Sequence, residues 1–378
     1  MRKVFVVAGL VLTLLLAAAS PAGALPSQSA DATLMTDGKV RSIVQVGDNI
    51  WLGGAFSKVT TRNGSVVANV VNLAVFDAGT GAFKNLAPDL PGTEVWDMDV
   101  FGTTVVIGGK FSGPGTKKNL VTVNGSSGAV IDWYGAPLIK TVLAAPDLNR
   151  IYAGGKSLSA FAVGGKKLWT RTPVGIDDSL RGHNTPAAYR DLERDGGVIW
   201  AACQCDSAGG SPSKALIKLD TDGNRSSFTP NNIGPTATGL SVQVTSNALF
   251  LGAGGSDFFA SITKTGGLNW KRDTSGSTQT VTIMDDVLVI GGHFVLVADA
   301  GQGNCGFRPG NLNPDECTER KYLAAYTFSG GLVANWSPSL TGKYNGAWTL
   351  HVDGGRLHVG GEFTKVNGVT QRHYARFS

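Results

Sequence analysis

Short runs of alternating apolar and polar residues, each closed by turn residues, make up most of this chain. Val95 to Phe101 alternates and predicts a strand; Gly102-Thr103-Thr104 predicts a turn. Val105 to Ile107 predicts a second strand, ended by Gly108-Gly109. After a loop through Pro114 and Gly115, Leu120 to Val123 predicts a third strand, Asn124 to Gly128 a turn and Ala129 to Trp133 a fourth. Third and fourth strands are expected likewise within Leu73 to Phe83, Leu158 to Trp169, Ala215 to Phe228, Phe258 to Trp270 and Leu323 to Trp336. The aromatic residue near each fourth strand is expected to pack between sheets.

The second-strand phrase, strand formers running into a small-residue doublet, recurs seven times. Its doublets are Gly53-Gly54, Gly108-Gly109, Gly154-Gly155, Ala202-Cys203, Gly252-Ala253, Gly291-Gly292 and Gly360-Gly361. They stand about 55, 46, 48, 50, 39 and 69 residues apart. Strand-rich repeats of this length predict an all-β fold: a seven-bladed β-propeller of four-stranded antiparallel blades. Small residues at the end of the second strand would let a neighbouring blade or loop approach closely. The last repeat ends after a third strand, Tyr374 to Phe377, and Ala32 to Val40 is expected to supply the missing strand and close the ring.

The ends refine this picture. Arg2-Lys3, the apolar run Val4 to Ala19 and Ala22-Gly23-Ala24 form a signal-peptide pattern, so residues 1–24 are expected to be removed and 25–378 to form the propeller. No later stretch reaches the roughly 20 apolar residues of a spanning helix. The expected location is secreted, or extracellular. Without Arg2 and Lys3 the formal charge falls from +5 to +3. No Lys/Arg cluster interleaves with aromatics, so a nucleic-acid partner is not expected. Four cysteines in an exported chain predict two disulfides, with three possible connectivities. Cys305 and Cys317 are the favoured pair; Cys203-Gln204-Cys205 would close a very small, strained ring, or hold a metal.

Loop lengths divide the two faces. First-to-second and third-to-fourth turns are short, whereas Lys58 to Ala68, Arg171 to Ala188, Val295 to Lys321 and Lys365 to Arg372 lengthen the other face. Loops on a rigid scaffold are where binding concentrates. Stacking the first strands on the doublet gives one polar column, Ser42, Asp97, Leu143, Asp191, Ser241, Thr280 and Thr349. A second column holds Val44, Asp99, Ala145, Glu193, Gln243, Thr282 and His351. Asp97, Asp99, Asp191, Glu193 and His351 are therefore candidate catalytic residues in a wet central channel, and Asp97, Asp99 and Glu193 candidate ligands of a divalent cation such as calcium. Trp96, His183, Arg190, His293, Trp348 and Glu362 are candidate ligand contacts.

The run Val359-Gly360-Gly361-Glu362-Phe363-Thr364-Lys365-Val366-Asn367-Gly368, followed by Tyr374-Ala375-Arg376-Phe377, resembles a β-propeller repeat family of unknown function found in secreted actinobacterial proteins, with relatives among fungal cortical-marker proteins. Ile50 to Val59 and Val106 to Ser112 match less completely. The resemblance implies a propeller and export and no particular activity. Weaker similarity links the apolar strand, Gly-Gly and later Trp to kelch repeats, and Leu73 to Gly81 with Leu120 to Trp133 to quinoprotein repeats. The Tyr/Cys crosslink and His ligands of kelch oxidases, and the vicinal disulfide of quinoproteins, have no counterpart here.

The first reading is thus a monomeric, non-catalytic module that binds an extracellular carbohydrate, peptide or cell-envelope component through the long-loop face. The second is a hydrolase or lyase using the channel carboxylates and His351. No P-loop, H-E-x-x-H, G-x-S-x-G or C-x-x-C-H occurs.

Overall fold

A computed structural model describes residues 25–378 except 175, 179–182, 186, 206, 209–210, 213–214, 235–236, 302–304, 306–316 and 343–345. The predicted signal peptide lies outside the described residues. The fold is all-β and propeller-like. Its framework is a series of antiparallel up-and-down sheets, each opening on an inner strand. The inner strands, numbered here first to seventh, are Val40–Val46, Gly92–Phe101, Ile139–Ala145, Ala188–Asp195, Thr238–Val244, Thr278–Met284 and Ala347–Asp353. Each packs beside the next, and the seventh packs beside the first. Among the described residues, no sheet closes on itself by hydrogen bonds.

The sheets are not uniformly four-stranded. Among the described residues, the first, second, third and fifth carry four strands, and the fourth, sixth and seventh three. In the fourth and sixth the expected outer strand shrinks to one bridge, Leu219 to Arg225 and Tyr326 to Leu332.

Buried apolar side chains gather between successive sheets. Trp51 of the first sheet shares a cluster with Val95 and Met98 of the second. Tyr152 of the third joins Tyr189 and Leu192 of the fourth. Trp51 and Trp200 are 0% and 1% exposed, and each such buried aromatic stabilises the fold by about 1.5–3 kcal/mol or more. The expected inter-sheet role of the fourth-strand aromatics holds for Trp270, whose Nε1 donates to the Phe328 carbonyl of the next sheet at 3.0 Å.

The doublets have two distinct jobs. Where the first residue is glycine, a Cβ there would crowd the next sheet. At Gly108 it would lie 2.5 Å from Ile139 Cγ2 and 2.7 Å from Val142 Cγ1. At Gly360 it would lie 2.7 Å from Val40 Cγ1, back on the first sheet. A Cβ on the second residue would strike backbone just before the inner strand of its own sheet, as at Gly54 against the Lys39 carbonyl.

The N-terminal segment does not form the outer strand expected of Ala32 to Val40. Met35–Thr36 instead pairs with Lys58–Thr60, in a small sheet that includes Val66–Asn69. Earlier residues run along Tyr374–Phe377: Ser27 N donates to the Ser378 carbonyl at 2.9 Å and Asp31 N to the Arg376 carbonyl at 2.8 Å. Arg376 joins three parts of the chain. Its Nε donates to Asp31 at 2.6 Å, and its Nη1 to the carbonyls of Ala78 and Gly79 at 3.0 and 3.2 Å. Phe76 and Tyr374 meet edge to face at 5.4 Å across the same seam. Replacing Arg376 with alanine should lower unfolding stability by about 1–2 kcal/mol, measured by urea denaturation. An unchanged midpoint would show that the seam does not depend on this residue.

Two disulfides form, as expected: the favoured pair Cys305–Cys317, and Cys203–Cys205, whose pairing the sequence left open. Cys203 lies one residue before the strand Val198–Gln204 ends and Cys205 just beyond it, with their Cα atoms 5.4 Å apart, within ordinary disulfide range. The bond leaves no C-x-C thiolates for a metal. Two disulfides fit an oxidising compartment. No helix of the described residues is long and apolar enough to cross a membrane.

Candidate functional site

Every inner strand carries a bulge at the same place. The pairing register slips between Val40 and Ser42, Val95 and Asp97, Ile139 and Thr141, Tyr189 and Asp191, Gly239 and Ser241, Thr278 and Thr280, and Ala347 and Thr349. A bulge inserts one residue and re-aims its side chain. The inserted residues are Arg41, Trp96, Lys140, Arg190, Leu240, Gln279 and Trp348, and all line one cavity of about 400 Å³. Each lies at the inner-strand end fed by the sheet-to-sheet connections, so the cavity opens on the long-loop face. Trp96 and Trp348 were expected near the channel mouth, and Arg190, a candidate ligand contact from the sequence, joins them here. Arg41, Lys140, Leu240 and Gln279 were missed, because strict alternation puts the residue before each polar position on the packed face. The readable signal is that each directly precedes a residue of the first polar column.

The first column needs one correction. The Pro146–Leu148 turn lengthens the third sheet's first hairpin, so Thr141, not Leu143, sits opposite Gly154, and Leu143 takes the place assigned to Ala145. The column is then Ser, Asp, Thr, Asp, Ser, Thr, Thr, all short and polar.

Its purpose is visible in the hydrogen bonds. Neighbouring inner strands do not share a ladder, so their backbone N–H groups need side-chain acceptors. Asp97 accepts from Val142 N of the next sheet at 2.8 Å, Asp99 from Ala144 N at 2.7 Å, and Asp191 from Val242 N at 2.8 Å. Ser42 Oγ accepts from Met98 N at 2.9 Å, and Ser241 Oγ from Val281 N at 3.2 Å. Glu193 accepts from Gln243 Nε2 at 2.7 Å.

Burial of these acids has an electrostatic consequence. It pushes Asp97 up to about 8 against the opposing Val142 hydrogen bond, with the charges of Asp191 and Asp99 adding to the rise. Glu193 is likewise pushed up to about 8, first by burial and then by Asp191 and Asp99. Asp99 and Asp191 are raised by burial against the backbone hydrogen bonds they accept. Only Asp97 and Asp191 of the four line the cavity. Among the described residues, no three His, Cys, Asp or Glu side chains gather as a metal-ligand group. His351 lies opposite His358 on the neighbouring strand, its ring 6.0 Å away, and burial lowers its pKa. His358, not singled out from sequence, shares a 2.9 Å hydrogen bond with Tyr374.

The mouth is cationic and aromatic. The Arg41 guanidinium lies 3.9 Å from the Trp348 ring centre and 4.5 Å from that of Trp96, and Lys140 Nζ is 5.5 Å from the latter. Such stacking over indole is favourable and holds the cations in place. Arg41 also contacts Glu94 at 3.4 Å, which Lys39 approaches at 3.2 Å. Burial, then the charges of Arg190 and Arg41, lowers Lys140 to about 8. His293 packs edge-on to Trp348 at 4.6 Å, and burial and Arg41 lower its pKa. Glu362 reaches Lys39 at 3.9 Å. His183 lies in a strand paired with Ile176–Asp178; its side chain falls outside the described residues.

No family model matches the chain, and no curated protein matches it. Solved structures share its fold. The chain is similar to the WD40 repeats of RRP9 with a TM-score of 0.60 at 10% identity, over 93% of this chain and 98% of that one. It is also similar to the computationally designed Ika8 protein, with a TM-score of 0.52 at 10% identity, over 92% of this chain and 99% of that one. Similarity at this identity defines the class as β-propeller-like and nothing finer.

Proposed function

We propose that the chain is a secreted seven-bladed β-propeller, allied to the actinobacterial repeat family it resembles, that serves as a non-catalytic binding module. Packing of the seventh inner strand on the first supports a ring closed by side chains. The partner is an extracellular carbohydrate, peptide or cell-envelope component, held on the long-loop face. The observation that carries this reading is the cavity at the bulges, where each of the seven inner strands presents its bulge residue to a single recess. A propeller resembling a WD40 domain is a suitable binding scaffold, although fold alone assigns no ligand.

Leu240 lines the recess, and Leu240→Trp would fill it. Immobilised wild type should retain a component of cell-envelope extract or a glycan array, and the folded Leu240→Trp protein should lose it. Retention by both would move binding away from the recess; retention by neither would sink the module reading.

A second reading is supported by Asp97, which lines the recess and is raised to about 8, the range of a general acid. It makes the protein a hydrolase or lyase, aided by a cation such as calcium. A panel of glycans and esters tests it: activity must appear and must fall in Asp97→Asn.

A further inference from the structure

The geometry points to an oxyanion, a carboxylate, phosphate or sulfate group carried by the partner, as the ligand of the recess. This rests on the binding-module reading and names the chemistry it would recognise.

Three cations, Arg41, Lys140 and Arg190, line the recess. Arg41 is the most constrained. Its side chain is only 8% exposed, it is stacked between Trp96 and Trp348, and its Nη1 is buried with no hydrogen-bond partner. Arg190 Nε and Trp348 Nε1 are buried and unpartnered as well. All three orphaned atoms are donors. An unmade buried hydrogen bond costs about 1–3 kcal/mol, more for a charged group, so a ligand supplying acceptors would recover that cost.

Charge agrees with hydrogen bonding. Arg41 has Glu94 beside it, but neither Lys140 nor Arg190 has a carboxylate within ion-pairing distance among the described residues. The charges of Arg41 and Arg190 both bear on Lys140, and that of Arg41 bears on Arg190. An anion between them would relieve this repulsion.

The recess also holds two acids, Asp97 and Asp191. They are no obstacle at the mouth, since each gives its oxygens to backbone N–H groups: Asp97 to Met98 and Val142, Asp191 to Leu192 and Val242. They do favour a ligand that stops at the bulge residues over one that descends the channel. Planar Arg41 suits the paired oxygens of these groups, and the two Trp rings fix its plane.

The test titrates the purified protein calorimetrically with inorganic phosphate, sulfate and glutarate, each against sodium chloride at matched ionic strength. Saturable one-site binding of at least one is expected. It should weaken about tenfold or more, ~1.4 kcal/mol, in Lys140→Gln/Arg190→Gln. Lys166→Gln, an exposed charge change, should leave it unaltered. Because the double variant could lose its fold, indole emission is followed in parallel. Anion binding should change the emission of wild type, and Trp96→Phe should abolish most of that change.

Preference among the three anions identifies the carrier as phosphorylated, sulfated or carboxylated. No saturable binding of any, or binding unchanged in the folded double variant, overturns the oxyanion assignment. Partner capture that is lost in Leu240→Trp despite such a result leaves the module reading standing, so the two fail separately.

Discussion

Gly108→Val should be among the most damaging single substitutions in this protein, lowering unfolding stability by about 1–3 kcal/mol or more. Even a Cβ there would lie 2.5 Å from Ile139 Cγ2 and 2.7 Å from Val142 Cγ1, both on the next sheet. Those side chains are 2% and 4% exposed and have little room to retreat. The consequence differs between the two doublet positions. At Gly108 the clash is with side chains, so Gly108→Ala should be partly rescued by Ile139→Ala. At Gly109 the clash is with the Glu94 carbonyl, and no side-chain truncation should rescue Gly109→Ala. A double-mutant cycle by urea denaturation measures both. Equal rescue at the two positions would contradict the division of labour.

Stability should also fall as pH rises from about 6 to about 8.5, with Asp97 by itself accounting for about 2–3 kcal/mol of the loss. Burial holds the Asp97 pKa near 8 in the folded chain, against about 4 when unfolded. Between those values the folded state keeps a proton that the unfolded state has released. The stabilisation is complete below the unfolded pKa and is lost as pH climbs through the folded one. Glu193, raised to about 8, acts in the same direction. His358 acts oppositely. Burial lowers it to about 3, so the folded chain keeps it neutral while the unfolded chain protonates below about 6.5. Acid thus removes stability over a lower range, and the optimum lies between the two. Asp97→Asn keeps an acceptor for Val142 N but cannot ionise, so its profile from about pH 6 to about pH 8.5 should be flatter. Parallel profiles for variant and wild type would rule out this carboxylate as the source.

Much of the framework was legible because its signals are local. Alternation and turn residues located the strands around Gly108-Gly109, and the doublets marked where sheets approach. Counting back from a doublet failed in the third sheet, where the longer turn at Pro146–Leu148 displaced the column. The outer strands of the fourth and sixth sheets were over-read, since a short segment with a strand-like pattern declares its pairing only in the folded sheet. The pairing of Cys203 with Cys205 stayed open in the sequence, because only the backbone around Gln204 brings the two into range.

The candidate site was legible only in part. Asp97, Asp191 and the two tryptophans stood out as polar or aromatic residues near the channel, but their roles did not. The acids proved to cap backbone N–H groups of the adjacent strand, a need that exists only once two sheets meet. Arg41 and Lys140 escaped notice because nothing in a single strand's alternation reveals a bulge.

The order of strands and the turns were determined by the sequence itself, through contacts between residues near in the chain; the doublets could be read there too, but the clash that keeps them small comes from the neighbouring sheet. Which side chains share the recess was decided by tertiary structure. A bulge turns two successive residues toward the same side, and seven such turns meet only when the sheets are packed around one another. Arg41 acquires its place between Trp96 and Trp348, residues 55 and 307 positions away, by that packing alone.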